Sequence, residues 1–523
     1  PLQEGILFHS LYDGGVSDVY TSRIRLDLEG PLDEAALRTA WRKLLQRHTG
    51  LRSAFVRDGS ARGPVQVVLP AIDVPWHSAD LTALDADGQH TELARIAQWT
   101  SPEHFDLTTP PLLRIAVVRL SPQRHRVLLS NHHIILDGWS MQVLLRELFT
   151  LYADETAELP RIAPYRDYLG WLAAQDHEAS HTAWNDALEG LQTPTLVAPH
   201  ATPGQVSDVR ETEIEVDSTT AETLRAFGRR HGLTLNTLVQ GAWALTLARL
   251  TGGHDLVFGA TVSGRPAELP GVESMAGLFI NTLPVRVTLD PGTTVLDMLQ
   301  RLQEQQSQLA DHHHLGLNDI TRQTGLDQLF DTILVFENYP VDPARLTPSP
   351  ELRITDWHWQ DATHYPLALL VIPDDRPKLR VQWQPALLGE ETGTELATHL
   401  IRLLTTLTTD PGQHLATIEL TTPQEREHAL TTWNDTAVDQ PRATLRELLR
   451  AQAAHTPDAQ AVVFEDHTLT YAQLQTRADA LARRLVALGA GPERRVALIL
   501  PRSLDWVIAA RAVLETGAAY VPI

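Results

Sequence analysis

The chain has 523 residues, 65 acidic against 43 basic side chains for a formal charge of −22, and no cysteine. A hydrophobic fraction of 43% supports real cores and excludes general disorder; at roughly 100–200 residues per domain there is room for several folding units. The acidic balance argues against nucleic acid, which needs clustered cations, and the missing thiols remove disulfides, thiolate nucleophiles and cysteine-held metals.

No stretch approaches the ~20 apolar residues of a membrane helix, and no basic-then-apolar leader opens the chain, so cytoplasm is the expected compartment. Lysine occurs only at Lys43 and Lys378, which leaves a lysine-centred mechanism almost no candidates. Pro1 leads straight into an apolar helix pattern, and residues 518–523 enter a strand pattern; a piece of a longer chain is expected.

Gln3 to Leu11 reads as a short helix. Ser22 to Leu28 alternates, with Ile24, Leu26 and Leu28 on one face and Arg23, Arg25 and Asp27 on the other, which is a half-buried strand. Pro31 and Asp33 open a helix bearing Leu37, Trp41, Leu44 and Leu45. Strands follow at Val67 to Leu69, Leu113 to Val118 and His125 to Ser130, and Ser140 caps an apolar helix running to Tyr152. This α/β lobe ends between Gly170 and Ser180. Residues 193–208 read as a crossing loop. A second α/β unit has helices 219–231, 235–250 and 391–407, with strands 211–216, 256–260, 283–287, 332–336, 367–372 and 379–383. Residues 410–422 read as a structured linker without glycine-serine runs. From Thr444 a third α/β alternation begins, with helices 445–455, 471–488 and 503–515 and strands 461–464 and 495–500.

The chemistry concentrates in Asn131-His132-His133-Ile134-Ile135-Leu136-Asp137-Gly138-Trp139-Ser140, between a strand and a helix, where α/β proteins place ligands. Adjacent histidines at a strand end point to opposite sides. Strand parity puts His133 with Val127, Leu129 and Asn131, and His132 with Leu128 and Ser130. A histidine here suits proton transfer or oriented hydrogen bonding near neutral pH. Asp137 is placed to turn back and lock the loop through an arginine or backbone amides, and Gly138 permits a tight turn and close substrate approach. The competing reading is a structural hydrogen-bond knot of His132, His133 and Asp137. Metal binding would need further ligands, for which His312, His313 and His314 are the candidates; such a run reads better as a solvated helix surface, and no metal is assigned. No serine elbow suggests covalent catalysis, which leaves direct attack of one substrate on another.

This cluster resembles the His-His-x-x-x-Asp-Gly signature of the condensation domains of nonribosomal peptide synthetases. Further motifs of that family occur in order. They are Leu2-Gln3-Glu4-Gly5-Ile6-Leu7-Phe8-His9; Arg47-His48-Thr49-Gly50-Leu51-Arg52-Ser53-Ala54-Phe55, where Thr49 replaces the usual acidic residue; and Tyr165-Arg166-Asp167-Tyr168 with Trp171. Gly277 to Arg286, Phe330-Asp331-Thr332 and Phe336-Glu337-Asn338-Tyr339-Pro340 complete the set, covering Pro1 to about Leu415. Leu469 to Leu474 and Glu515 to Ile523 resemble the first two core motifs of amino-acid adenylation domains.

The resemblance implies a two-lobed pseudo-dimer like chloramphenicol acetyltransferase, with a V-shaped tunnel between the lobes and a partial α/β adenylation subdomain. The expected divisions are 1–178 for the N-terminal lobe, 179–418 for the C-terminal lobe, 419–443 for a linker and 444–523 for an incomplete adenylation segment, without adenylation activity of its own. The implied reaction joins an upstream carrier-bound aminoacyl or peptidyl thioester to the amine of a downstream aminoacyl thioester. Both would ride on phosphopantetheine arms of partner carrier domains, with no covalently bound cofactor, no cofactor-binding residue assigned, and neither nucleic acid nor membrane as partner. The remainder of the adenylation domain would belong to the same synthetase.

In that setting His133 either accepts the amine's proton or orients the amine, and His132 holds the loop. Asp137 is expected to pair with Arg286. Gly138 lets the backbone approach the thioester, where its N–H supports the oxyanion. Arg52 and Arg286 are given structural ion-pair roles, and Asn281 and Thr282 close a strand crossover between lobes. Tyr165 and Trp171 are packing residues, and Ser263-Gly264-Arg265 form a turn beside the cavity. Gly14-Gly15-Val16-Ser17 lacks the context of a phosphopantetheine-bearing serine and is rejected as one. The opening motif together with Leu136 to Trp139 resembles the group taking a D-configured donor and an L-configured acceptor. The rivals are a CoA-dependent acyltransferase of the same fold and a non-catalytic carrier-docking module.

Overall fold

The alternation of residues 22–28 becomes a strand, Thr21–Glu29, with Ile24, Leu26 and Leu28 buried. A computed structural model describes residues 2–12, 20–57, 64–100, 105–201, 209–338, 346, 348–361, 363–440 and 442–523. The side chains of residues 8–12 fall outside this description, as do Gly14 to Ser17, Tyr339 and Pro340. The chain divides into two units, Pro1–Leu420 and Thr421–Ile523.

In the larger unit, Thr21–Glu29 runs antiparallel to Arg124–His132 on one side and to Arg353–Gln360 on the other. Among the described residues this sheet has five strands, ordered 353–360, 21–29, 124–132, 113–121, 76–80. The strand 353–360 was not expected. Its apolar residues change parity, from Ile354 to Trp357 and Trp359, where the pairing register slips at Asp27/Leu28. A bulge of this kind moves side chains to the other face, so the period-two pattern breaks. A segment from the second half of the chain thereby becomes the edge of the first sheet.

Helices Glu34–Arg47 and Gly138–Ala153 cover this sheet with Leu37, Trp41, Leu44, Leu144, Leu145 and Leu148, all buried. Asp33 caps the first helix, its carboxylate accepting from Ala36 N–H at 2.9 Å. Between the two helices the buried Glu147 carboxylate accepts from His48 Nε2 at 2.7 Å and from Arg47 Nε at 3.0 Å. Burial alone raises the Glu147 pKa, but His48 and Arg47 outweigh it and hold the carboxyl below its usual value. A depressed folded pKa gives stability that is present above the unfolded value of about 4.3 and is lost as pH falls through the folded one. Glu147→Gln is therefore expected to lower the melting temperature at neutral pH and to flatten its decline below about pH 4.3. Thermal melts from pH 7 to 3 check this; parallel wild-type and variant curves would contradict it.

Among the described residues the second sheet has six strands, ordered 210–215, 378–383, 367–372, 332–336, 255–262, 281–288. Helix Leu235–Thr251 is buried along most of its length, as an apolar helix without a polar face must be. Helices Ser218–His231, Val295–Leu309 and Thr392–Thr409 pack around it and share its core. The Asp331 carboxylate accepts from Val197 and Ala198 N–H at 2.9 and 2.8 Å and anchors the chain where it crosses into this half.

The smaller unit has the expected helices Leu445–His455, Tyr471–Ala487 and Leu504–Glu515 and the expected strand Gln460–Phe464, which pairs in a hairpin with a strand that was not expected, His467–Thr470. Arg495–Leu498 runs parallel to Ala519–Pro522. Buried Glu515 binds Arg446, Arg450 and Arg511 at 3.0, 2.8 and 2.5 Å.

Candidate active site

The strand 124–132 ends at His132, and His133 already belongs to a single 3₁₀ turn, His133–Ile135, so strand parity does not extend to it. His132 is fully buried, and its Nδ1 accepts from Ile134 N–H at 3.1 Å, which closes the turn. His133 keeps 14% side-chain exposure. Its backbone N–H donates to Tyr20 O at 2.7 Å, and Nδ1–H donates to Leu136 O at 3.3 Å. The second nitrogen, Nε2, lies 3.3 Å from Asp361 Oδ1. Burial alone lowers the His133 pKa, but the Asp361 carboxylate outweighs it and the net shift is upward.

Asp137 is the N-cap of helix Gly138–Ala153, its Oδ1 accepting from Ser140 N–H at 2.8 Å. Ser140 is therefore not the cap. Its hydroxyl donates to Gly277 O at 2.7 Å and accepts from Gly277 N–H at 3.0 Å. Asp137 Oδ2 accepts from Phe279 N–H at 3.0 Å. The cation on Asp137 is Arg265, with Nη2 at 3.3 Å and side-chain exposures of 4% and 0%. The Arg265 guanidinium also bonds Ser140 Oγ, Val272 O and Met275 O and lies 3.8 Å over the Phe279 ring. Gly264 turns the chain into this position at φ +60, where a Cβ would stand 1.9 Å from Phe279 O. The active loop is thus clamped by residues 264–279 of the second half.

Arg286 does not reach Asp137. It lies on the strand 281–288, and its fork grips Asp255 of the neighbouring strand at 2.8 Å on both arms. Arg52 forms no ion pair among the described residues; Nε donates to Leu45 O at 2.7 Å and Nη1 to Leu69 O, bracing a turn by backbone carbonyls. Asn281 does not join the two halves either. Its amide donates to His313 O and Leu315 O at 2.9 and 2.7 Å, and its Oδ1 accepts from Thr282 N–H, all within the second half.

Tyr165 packs as expected. Its hydroxyl donates to Leu278 O at 2.5 Å, its ring meets Phe279 edge-on, and Tyr168 stacks on Trp171. The run His312 to His314 is not a solvated surface: His314 is buried against Trp171 and His177, and burial pushes His313 down to about 4. Among the described residues no group of three His, Asp or Glu side chains is arranged to hold a metal ion, and no helix is long and apolar enough to cross a membrane.

Two residues near the site were not foreseen. Asp361 follows the bulged edge strand; because Gln360 pairs with Arg23 and His132 with Thr21, both strand ends meet beside His133. Glu337 follows the strand 332–336, and burial with the Asp361 charge pushes its pKa up to about 7. Asp361 itself lies below its usual value: burial raises it, but the His133 charge prevails.

Comparison with known proteins gives two family matches, "Condensation domain" over residues 1–430 and "AMP-binding enzyme" over 449–523. The linear gramicidin synthase of Brevibacillus parabrevis has a subunit 38% identical over 535 residues, an overlap of 100% of this chain and 7% of that protein. Surfactin synthase subunit 3 of Bacillus subtilis (strain 168) is 34% identical over 532 residues, covering 100% of this chain and 41% of that protein. The chain spans 10% or less of the three linear gramicidin synthase subunits it matches. Holo-AB3403, a four-domain nonribosomal peptide synthetase solved with AMP and glycine, superposes with TM-score 0.81 at 19% identity over 99% of this chain and 41% of that one. The first condensation domain of the calcium-dependent antibiotic synthetase, solved with a substrate analogue, superposes with TM-score 0.66 at 19% identity over 80% of this chain and 98% of that one. These superpositions bear on the fold.

Proposed function

The chain belongs to the condensation-domain family, and from that premise we propose that it forms peptide bonds between carrier-bound substrates. The donor is an upstream aminoacyl or peptidyl thioester, and the acceptor is the amine of a downstream aminoacyl thioester. Phosphopantetheine arms of two carrier domains bring them through a passage between the lobes to His133. The observation that supports this reading most is the seating of the His133 ring. One nitrogen is fixed to Leu136 O, while the other meets Asp361 at a side chain that remains partly exposed.

The amine attacks in its neutral form, the C–N bond forms and the C–S bond breaks. The proton lost from nitrogen ends on the departing thiol, by way of Nε2 if the ring is the base. Meeting of two tethered reactants removes much of the entropic barrier. Gly138, the first residue of its helix, lies beside the ring's loop and offers its N–H to the developing oxyanion. His132, Asp137, Ser140 and Arg265 hold the loop. The adjoining AMP-binding match supports a multidomain synthetase as the setting of this chemistry.

The donor is D-configured on this reading. Upstream carriers loaded with D- or L-aminoacyl groups, mixed with the chain and a downstream carrier bearing an L-aminoacyl group, test it by intact mass. A D-donor advantage of about tenfold or more is expected. An equal or larger L-donor rate contradicts the stereochemical assignment, and no dipeptidyl carrier from either donor contradicts peptide-bond formation.

A further inference from the structure

The Asp361 carboxylate is delivered from the far half of the chain. The edge strand 353–360 crosses to the first sheet, pairs with Thr21–Glu29 and ends where the strand 124–132 ends, so Asp361 and His133 meet at a seam between two distant segments. Asp361 Oδ1 is fixed there by Trp359 Nε1–H at 2.7 Å, and its backbone O accepts from Gln382 Nε2 at 3.2 Å. The carboxylate is thus steered by its own strand and by the second sheet before it touches the imidazole. Leu136 O takes the Nδ1 proton, so a second proton on the ring points at Asp361.

We propose that Asp361 positions His133 and then binds the acceptor: its carboxylate holds Nε2 and the ring's positive charge at rest, and passes to the cationic acceptor amine as that group arrives. The inference rests on the peptide-bond-forming reading above. In the resting site both ring nitrogens are engaged, so Nε2 accepts no proton until its bond to Asp361 is broken. An acceptor ammonium inserted between them supplies Asp361 with a replacement cation while the ring sheds its proton to solvent. The freed Nε2 then takes one proton from the ammonium, leaving a neutral amine to attack and an imidazolium again balanced by Asp361. The C–N bond forms, the C–S bond breaks, and the ring's proton goes to the thiolate. The second proton lost from nitrogen replaces it on the ring, which restores the resting pair.

Other ionisable groups surround this pair. Asp137 and His132 lie on the histidine's own loop, Tyr20 and His364 stand at the start of the first strand, and Glu337, Arg380, Glu211 and Glu213 approach from the second sheet. Asp361, not Asp137, is the larger charge acting to keep the ring protonated.

The test uses the full chain with Asp361→Asn and Asp361→Glu, each checked for an unchanged melt. The His133 ring is followed by NMR of labelled histidine, assigned by the signal lost in His133→Gln, and single-turnover condensation is followed against pH. The wild-type ring is expected to titrate above the ordinary ~6.5, and the Asn variant below it. The acid limb of the rate should move down by the same interval, and the plateau should fall about 10- to 100-fold, the weight of a hydrogen bond to a charged group. The Glu variant should restore both in part. A ring titration unmoved in Asp361→Asn overturns the proposal. A shifted ring with an unmoved acid limb upholds the hold of Asp361 on the ring and instead overturns proton acceptance by His133.

Discussion

Arg265→Ala should cost the protein about 3–5 kcal/mol of stability, the usual penalty for leaving one member of a buried ion pair without its partner. Asp137 is fully buried and already takes two backbone N–H groups, Ser140 and Phe279, but Arg265 is the cation at its side. Arg265 does more than neutralise. Its fork joins Ser140 Oγ, Val272 O and Met275 O, so alanine would also free two carbonyls and a hydroxyl. Lysine is a poor substitute, because a point charge cannot span these acceptors or lie flat on Phe279. The double variant Asp137→Asn/Arg265→Met should lose less than the sum of its parts, since the orphaned charge is gone. Urea unfolding of the full chain measures all three. An Arg265→Ala loss below about 1 kcal/mol, the range of surface pairs, would mean that the clamp is not buried in solution.

His133→Ala is expected to leave that clamp standing and to slow condensation by about 10²–10⁴-fold, the contribution of one positioned acid–base side chain. The asymmetry between the two histidines follows from their places. His132 is sealed in the core and closes the turn through Ile134, whereas His133 is partly exposed and its ring bonds one carbonyl and Asp361. Its loss should therefore be read in the rate far more than in the melt. The pH dependence separates base from orienting group. With the folded pKa raised, the neutral ring is reached only above the ordinary histidine value, so a base mechanism loses rate as pH falls through that raised value.

Much of this was legible in the amino-acid order. The half-buried strand 21–29 and the helices 34–47 and 138–153 carry their periods in apolar residues that the structure buries. The His-His-x-x-x-Asp-Gly cluster stood out because its polar groups crowd a strand-to-helix junction. The strand 353–360 was hidden by the parity change at its bulge, and Asp361 with it, because no local pattern announces a partner brought from so far along the chain. Arg265, not the expected Arg286, pairs with Asp137, and this was hidden for a related reason. An arginine on a regular strand is conspicuous, yet Arg286 is committed to Asp255 beside it. The glycine before Arg265 was the available signal, since a residue at φ +60 aims the next side chain out of the run of the chain. The histidines 312–314 misled through composition alone, because a short turn carries His314 inward.

If an acceptor amine meets a donor thioester at His133, removing the ring must slow amide formation. A rapid-quench single turnover with both carriers loaded decides this by comparing wild type with a His133→Ala protein that melts at the same temperature. Dipeptidyl carrier should accumulate in the wild type and fall by at least about a hundredfold in the variant. Equal rates from the two proteins would leave the histidine as scaffold and the amide-forming chemistry without a site there.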